Sequence, residues 1–98
     1  LTFESEVLQI QNAFDSNSFE IIYPSESILA EFPVSVVDAV VDKNKSRTLA
    51  EEYLKFLWTK PAQEIAAKHF LRPRDAAVLA ASEGRFPSIR LLSVNETL

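Results

Sequence analysis

Residues 48–70, TLAEEYLKFLWTKPAQEIAAKHF, decide how this chain folds. Apolar residues recur at Leu49, Tyr53, Leu54, Phe56, Leu57 and Trp58, then at Ala62, Ile65, Ala66 and Phe70. The spacings are mostly three and four, the period of a helix with one buried face. Pro61 forbids a continuous helix, because it lacks an N–H and clashes with the preceding turn. In the first turn of a new helix that N–H would be unpaired anyway. The stretch is therefore expected to form two helices joined at Thr59-Lys60-Pro61, with Thr59 as the second N-cap. Thr48-Leu49-Ala50-Glu51 fits a capping box at the first helix start. Glu51 with Lys55, and Glu64 with Lys68, are i,i+4 pairs in the favourable order. Trp58 and Tyr53 fall on the apolar stripe and are expected in the core.

The totals narrow the classes. The 98 residues carry 47% hydrophobic and 24% charged side chains, a globular composition suited to one small domain or a piece of a larger one. No run approaches the ~18 apolar residues of a membrane-spanning helix. LTFESEV at the start has neither the basic nor the apolar region of a signal peptide. Cysteine is absent and histidine occurs once, so a thiolate or multi-histidine metal site is not expected. The net charge of −4 argues against a nucleic-acid partner. With a single glycine the chain has no glycine-rich phosphate loop.

Outward from the helix pair, Pro33–Val41 (PVSVVDAVV) is valine-rich and is expected as a strand covered on both faces. Phe19–Tyr23 (FEIIY) is strand-like, and Pro24–Ser27 interrupts it. Leu1–Phe3 has the character of a strand end, and Glu4–Phe14 that of a helix with Glu4 and Glu6 in its first turn. Asp15–Ser18 is a turn cluster. Asp75 is a suitable N-cap for Ala76–Glu83, with Gly84 beyond it, and Ile89–Val94 suits a short strand. Alternating strands and helices give the α/β class.

FESEV at Phe3–Val7, FEIIYPSESILAEFPVSVVD at Phe19–Asp38, AEEYLKFLWTKPAQEIAAKHFLRPRD at Ala50–Asp75 and the later RFPSIRLLSVNE together resemble bacterial sulfate/thiosulfate-binding proteins, the solute receptors of ABC importers. The resemblance runs over essentially the whole chain. It implies an α/β chain that is the C-terminal fragment of a two-lobed periplasmic binding protein of type II fold. Residues 1–23 would then end the second lobe, 24–32 would form the hinge or crossover, and 33–98 would be the C-terminal part of the first lobe. It implies a periplasmic receptor that binds sulfate or thiosulfate between its lobes and passes it to ABC permease membrane subunits, with no cofactor and no chemistry of its own.

The candidate ligand-binding residues are Phe3, Glu4 and Ser5, at the cleft edge. A strand end running into a helix N-terminus offers free backbone N–H groups where anions are favoured. Some family members have tryptophan at the Phe3 position, with its indole N–H donating to the anion. Phe3 has no such donor, and the FESEV form is similar to the thiosulfate-type branch. Glu4 and Glu6, two residues apart on a helix, point to different sides and suit helix-start or hinge bonds rather than acid–base work.

Lys43, Lys45 and Arg47 suit a solvated loop. Arg72 and Arg74 are expected to tie the last helices together, through Asp75 or a carbonyl. His69 closes a helix without a marked nucleophile beside it, so catalysis is not expected. Ser25 and Ser27 suit equally the lining of the cleft beside the hinge and turn chemistry. The alternative to a receptor is a small α/β interaction module whose open sheet edges and apolar faces make it dimerise or exchange strands.

Overall fold

The computed structural model describes residues 1–15, 17–82 and 84–97. Its order is helix α1 (Glu4–Ala13), strand β1 (Glu26–Ile28), helices α2 (Asp38–Lys43), α3 (Arg47–Phe56), α4 (Lys60–Lys68) and α5 (Ala76–Ala81), strand β2 (Arg90–Leu92) and a short helix α6 (Val94–Thr97). The strands pair in parallel, with Glu26 opposite Arg90, Ser27 opposite Leu91 and Ile28 opposite Leu92. Helices joined by a small parallel sheet fit the α/β class.

The helix pair forms where the period places it, with the break at Leu57–Thr59 and Pro61 in the first turn of α4. Its details differ. The first helix starts at Arg47, with Ser46 at the N-cap position and no side-chain cap, so the capping box at Thr48 does not form. The reason lies upstream. The Arg47 guanidinium bonds Asp38 at 2.8 Å and Asp42 at 2.9 Å, fastening α3 to α2 across a turn in which Lys45 takes φ 53°. Glu51 therefore faces Arg47 (3.7 Å), and Lys55 turns to Glu52 (2.9 Å). Glu64 faces Lys60 at 3.9 Å rather than Lys68. Thr59 holds the N-cap position of α4, but its hydroxyl donates back to the Phe56 carbonyl at 2.6 Å.

The valine-rich run is not a strand. Residues 33–37 carry no regular structure, and Asp38 opens α2. Val37, Val40 and Val41 also fit a helical period, and Asp38 suits a helix first turn. With no strand alongside, the β preference of valine has nothing to pair with. Val41 is the buried residue of α2. Phe19–Tyr23 and Leu1–Phe3 likewise have no strand partner among the described residues, and the first strand, Glu26–Ile28, begins within the expected interruption Pro24–Ser27 and ends one residue beyond it. Asp75 caps α5, its carboxylate accepting from the N–H groups of Ala77 (2.9 Å) and Val78 (3.0 Å). Such a cap contributes ~1 kcal/mol. Glu83, the expected last residue of this helix, and Ser16 of the turn cluster lie outside the described residues.

The core is small and is not centred on α3. Leu8 of α1, Ala67 of α4, Val78 of α5 and Phe86 form one cluster, with Ile21, Phe70 and Leu79 packed on it. Helix α3 buries no residue: Tyr53 is exposed, as are Trp58 at 69% and Leu49 at 75%. The stripe is helical as expected, yet the described residues cover it only in part: Leu54 and Leu57 are half-buried, while Leu49, Tyr53, Phe56 and Trp58 stand exposed. The radius of gyration is 16.6 Å, against about 13 Å for a compact domain of this length. The accessible surface is 7879 Å², against about 5,600 Å² for a compact chain of this mass.

Gln63 ties the helix pair to α5. Its amide N–H₂ donates to the Leu57 carbonyl at 2.8 Å, and its oxygen accepts from the backbone N–H groups of Arg74 (2.7 Å) and Asp75 (3.2 Å). One side chain thus satisfies the end of α3 and the start of α5. Phe70, at φ 66°, turns the chain after α4 so that Arg72–Asp75 can reach these partners.

Candidate functional site

The N-terminus of α1 is built by Phe3. Its backbone is extended (φ −73°, ψ 146°), and its carbonyl accepts from the N–H groups of Glu6 (3.1 Å) and Val7 (3.2 Å). The N–H groups of Phe3, Glu4 and Ser5 have no acceptor among the described residues. The Ser5 hydroxyl, half-buried, has none there either. The Phe3 ring stands edge-on to Phe32, with centroids 6.2 Å apart and planes at 67°. These first-turn N–H groups are open to an acceptor beside an aromatic wall, with Glu4 and Glu6 already placing negative charge in the same turn.

Glu4 does not face that end as a free carboxylate. Arg72 Nε donates to one Glu4 oxygen at 3.0 Å and a terminal nitrogen to the other at 2.7 Å, in a bidentate pair across 68 residues. The pair is only 16% and 22% exposed. The same guanidinium donates to the Pro87 carbonyl at 2.9 Å and lies 5.5 Å from the centre of the Phe86 ring. Glu6 accepts from the Thr2 hydroxyl at 2.6 Å, a helix-start bond of the expected kind. The structure therefore brings Phe3, Glu4 and Ser5 together at one helix end and adds Arg72, Phe32 and Tyr23 around them.

Tyr23 carries an electrostatic record of this grouping. Burial raises its phenol pKa above the ordinary 10.0; the Glu4 carboxylate raises it further and Arg72 opposes in part. A phenol with a raised folded pKa holds its proton longer than in the unfolded chain. Its contribution to stability is complete below pH 10 and is lost as pH rises through the raised value. Denaturant midpoints are accordingly expected to fall above pH 10, and Tyr23→Phe is expected to flatten that fall. An unchanged profile in the variant would exclude Tyr23 as its source.

The other basic residues are engaged elsewhere. Arg47 belongs to Asp38 and Asp42, whose hydrogen bonds raise its pKa. Arg74 pairs with Glu31 at 3.0 Å, so Arg74 ties the helix joint to the 29–37 segment and not to Asp75. Arg72 reaches a carbonyl, as expected, but its main partner is Glu4. Arg85 covers the Phe70 ring at 5.1 Å and donates to the Ala67 carbonyl at 2.7 Å. His69 occupies the C-cap position of α4 and is exposed. Ser27 sits in β1 rather than in a turn. Among the described residues no three His, Asp or Glu side chains gather as a metal site would need. The Glu4–Arg72 pair had no local sequence signal, because its partners are too far apart for any spacing rule. The sequence RPRD marked only that two cations stand beside a helix start.

The sequence profile described as "Bacterial extracellular solute-binding protein" matches residues 1–72. The chain is 48% identical over 97 residues to a "Thiosulfate-binding protein" of Pseudomonas aeruginosa, covering 99% of this chain and 29% of that protein. It is 48% identical over 96 residues to a "Sulfate-binding protein" of Escherichia coli, covering 98% of this chain and 29% of that protein. A "Sulfate-binding protein" of Synechocystis is 31% identical over 96 residues, 98% of this chain and 27% of that protein. The chain thus spans less than a third of the length of the curated relatives it matches.

Proposed function

We propose, because this chain belongs to the family of bacterial extracellular solute-binding proteins, that it is the C-terminal part of a periplasmic receptor for sulfate or thiosulfate. The observation that carries the reading is the 48% identity, over nearly every residue, to proteins named for binding each of these anions. The full-length receptor holds the anion between two lobes of a type II fold and delivers it to the membrane subunits of an ABC permease. Lobe closure on the anion is the signal the permease senses. The receptor performs no catalysis.

In this reading residues 1–23 end the second lobe, 24–32 cross between lobes, and 33–98 belong to the first. The Leu8–Ala67–Val78–Phe86 cluster and the Glu4–Arg72 pair then join the two parts beside the crossing. Phe3, Glu4 and Ser5 contribute backbone N–H groups and the Ser5 hydroxyl at the cleft edge. Phe3 supplies an apolar wall, which suits the sulfur end of thiosulfate better than an oxygen. The Glu4 side chain serves structure, since Arg72 takes both its oxygens.

Isothermal calorimetry on the full-length receptor tests this. Heat of binding with sulfate or thiosulfate is expected, and its absence with these and with molybdate rules the reading out. The 98-residue chain alone is expected to bind far more weakly, because most of the donors lie in the rest of the receptor. Micromolar binding by the isolated chain would contradict that division.

A further inference from the structure

Arg72-Pro73-Arg74, between α4 and α5, holds two segments that lie far from it in sequence. Arg72 takes both oxygens of Glu4, at 3.0 and 2.7 Å. Arg74 takes Glu31 at 3.0 Å. Each carboxylate is the sequence neighbour of one ring of the aromatic pair: Glu4 follows Phe3, and Glu31 precedes Phe32. The two rings stand edge-on, with centroids 6.2 Å apart. The anchor is stiff. Pro73 is buried, fixes its own φ and restricts Arg72 to extended backbone. The Gln63 side chain accepts from the N–H groups of Arg74 and Asp75, so α4 holds the same stretch.

The rings have little else to place them. Phe3 is 56% exposed and Phe32 75%, so no packed layer sets their spacing. Residues 30–36 make no backbone hydrogen bond among the described residues. We propose that Arg72 and Arg74 are positioning residues: through Glu4 and Glu31 they set the Phe3–Phe32 spacing, and with it the anion selectivity of the cleft edge. This rests on the receptor reading, in which Phe3 walls the anion site. A phenyl ring has no N–H or O–H to donate. Against it the sulfur of thiosulfate, a poor acceptor, loses little, whereas a fourth oxygen of sulfate goes without its bond. Moving Phe32 away admits water, which can serve that oxygen and narrows the difference between the anions.

The two arms differ in exposure. Glu4–Arg72 is shielded, while Arg74 and Glu31 are 52% and 45% exposed. The outer arm can therefore be cut without leaving a buried charge. Calorimetry on the full-length receptor with sulfate and with thiosulfate, beside urea unfolding of each variant, tests the proposal. Arg74→Gln and Glu31→Gln are each expected to lower the thiosulfate-to-sulfate affinity ratio by about 2- to 5-fold, the reach of an exposed ion pair. Their urea midpoints are expected to stay at the wild-type value. The double variant is expected to shift the ratio no further than either single one. Arg74→Lys, which keeps a cation for Glu31, is expected to recover part of the ratio, and Phe32→Ala to lower it at least as much as Arg74→Gln. An unchanged ratio in Arg74→Gln or in Phe32→Ala overturns the proposal, while the binding measured leaves the receptor reading standing. Weakening of both anions by one factor gives Arg74 a purely structural role and also overturns it. A wild-type receptor that binds neither anion overturns both the proposal and the receptor reading.

Discussion

Phe86→Ala is expected to destabilise the full-length protein by about 3–5 kcal/mol, the cost of removing a buried phenyl ring and leaving its cavity. Phe86 is 3% exposed and touches three elements, through Leu8, Ala67 and Val78. Among the six buried apolar residues of the described core Phe86 is the one aromatic ring. The ring also underlies the Arg72 guanidinium. Urea unfolding gives the measurement. A midpoint shift worth less than about 1 kcal/mol would show that the ring is not buried in the assembled protein. Phe86→Leu, which keeps most of the volume, is expected to lose much less.

Arg72→Met is expected to cost about 1.5–3 kcal/mol, since it leaves a shielded Glu4 carboxylate and the Pro87 carbonyl without their donor. The methionine keeps the aliphatic stem, so the loss reports on the guanidinium. The partial exposure of both partners keeps the figure below that of a fully buried pair. Glu4→Gln added to Arg72→Met is expected to recover part of the loss, because the uncompensated charge is gone. A double-mutant cycle separates the pair from the Pro87 bond. Coupling indistinguishable from zero would mean that Glu4 and Arg72 do not interact in solution.

Much of the fold is legible wherever a local rule applies. The break at Pro61, the Asp75 cap and the helix opening at Glu4 each follow from one residue's covalent chemistry, and each is present. Local rules fail where the outcome depends on distant partners. Valine at 34–41 favours a strand only if a strand lies beside it, and here Asp38 starts a helix instead. The period of 48–70 marks the helices but not their burial: a stripe shows which face is apolar, not whether anything covers it. Salt-bridge partners obey the same limit, since Arg47 takes Glu51 through a geometry set by Asp38 and Asp42. For the candidate site, the helix end at Phe3–Ser5 is readable from sequence. The Arg72 counter-ion and the Phe32 ring are not, lying 68 and 29 residues from their partners.

The β1–β2 ladder has a consequence in time. Ile28 is made 62 residues before Arg90, the first residue of the strand that pairs with β1. At 5–20 residues per second, β1 waits about 3–12 s for its partner to be synthesised. Through that interval the α3–α4–α5 contacts, local in sequence, can already form, while the sheet and the Phe86 core cannot. Proteolysis of arrested chains of increasing length is expected to protect residues 26–28 only after Leu92 has emerged. Of the two strands, the one made later therefore completes this ladder.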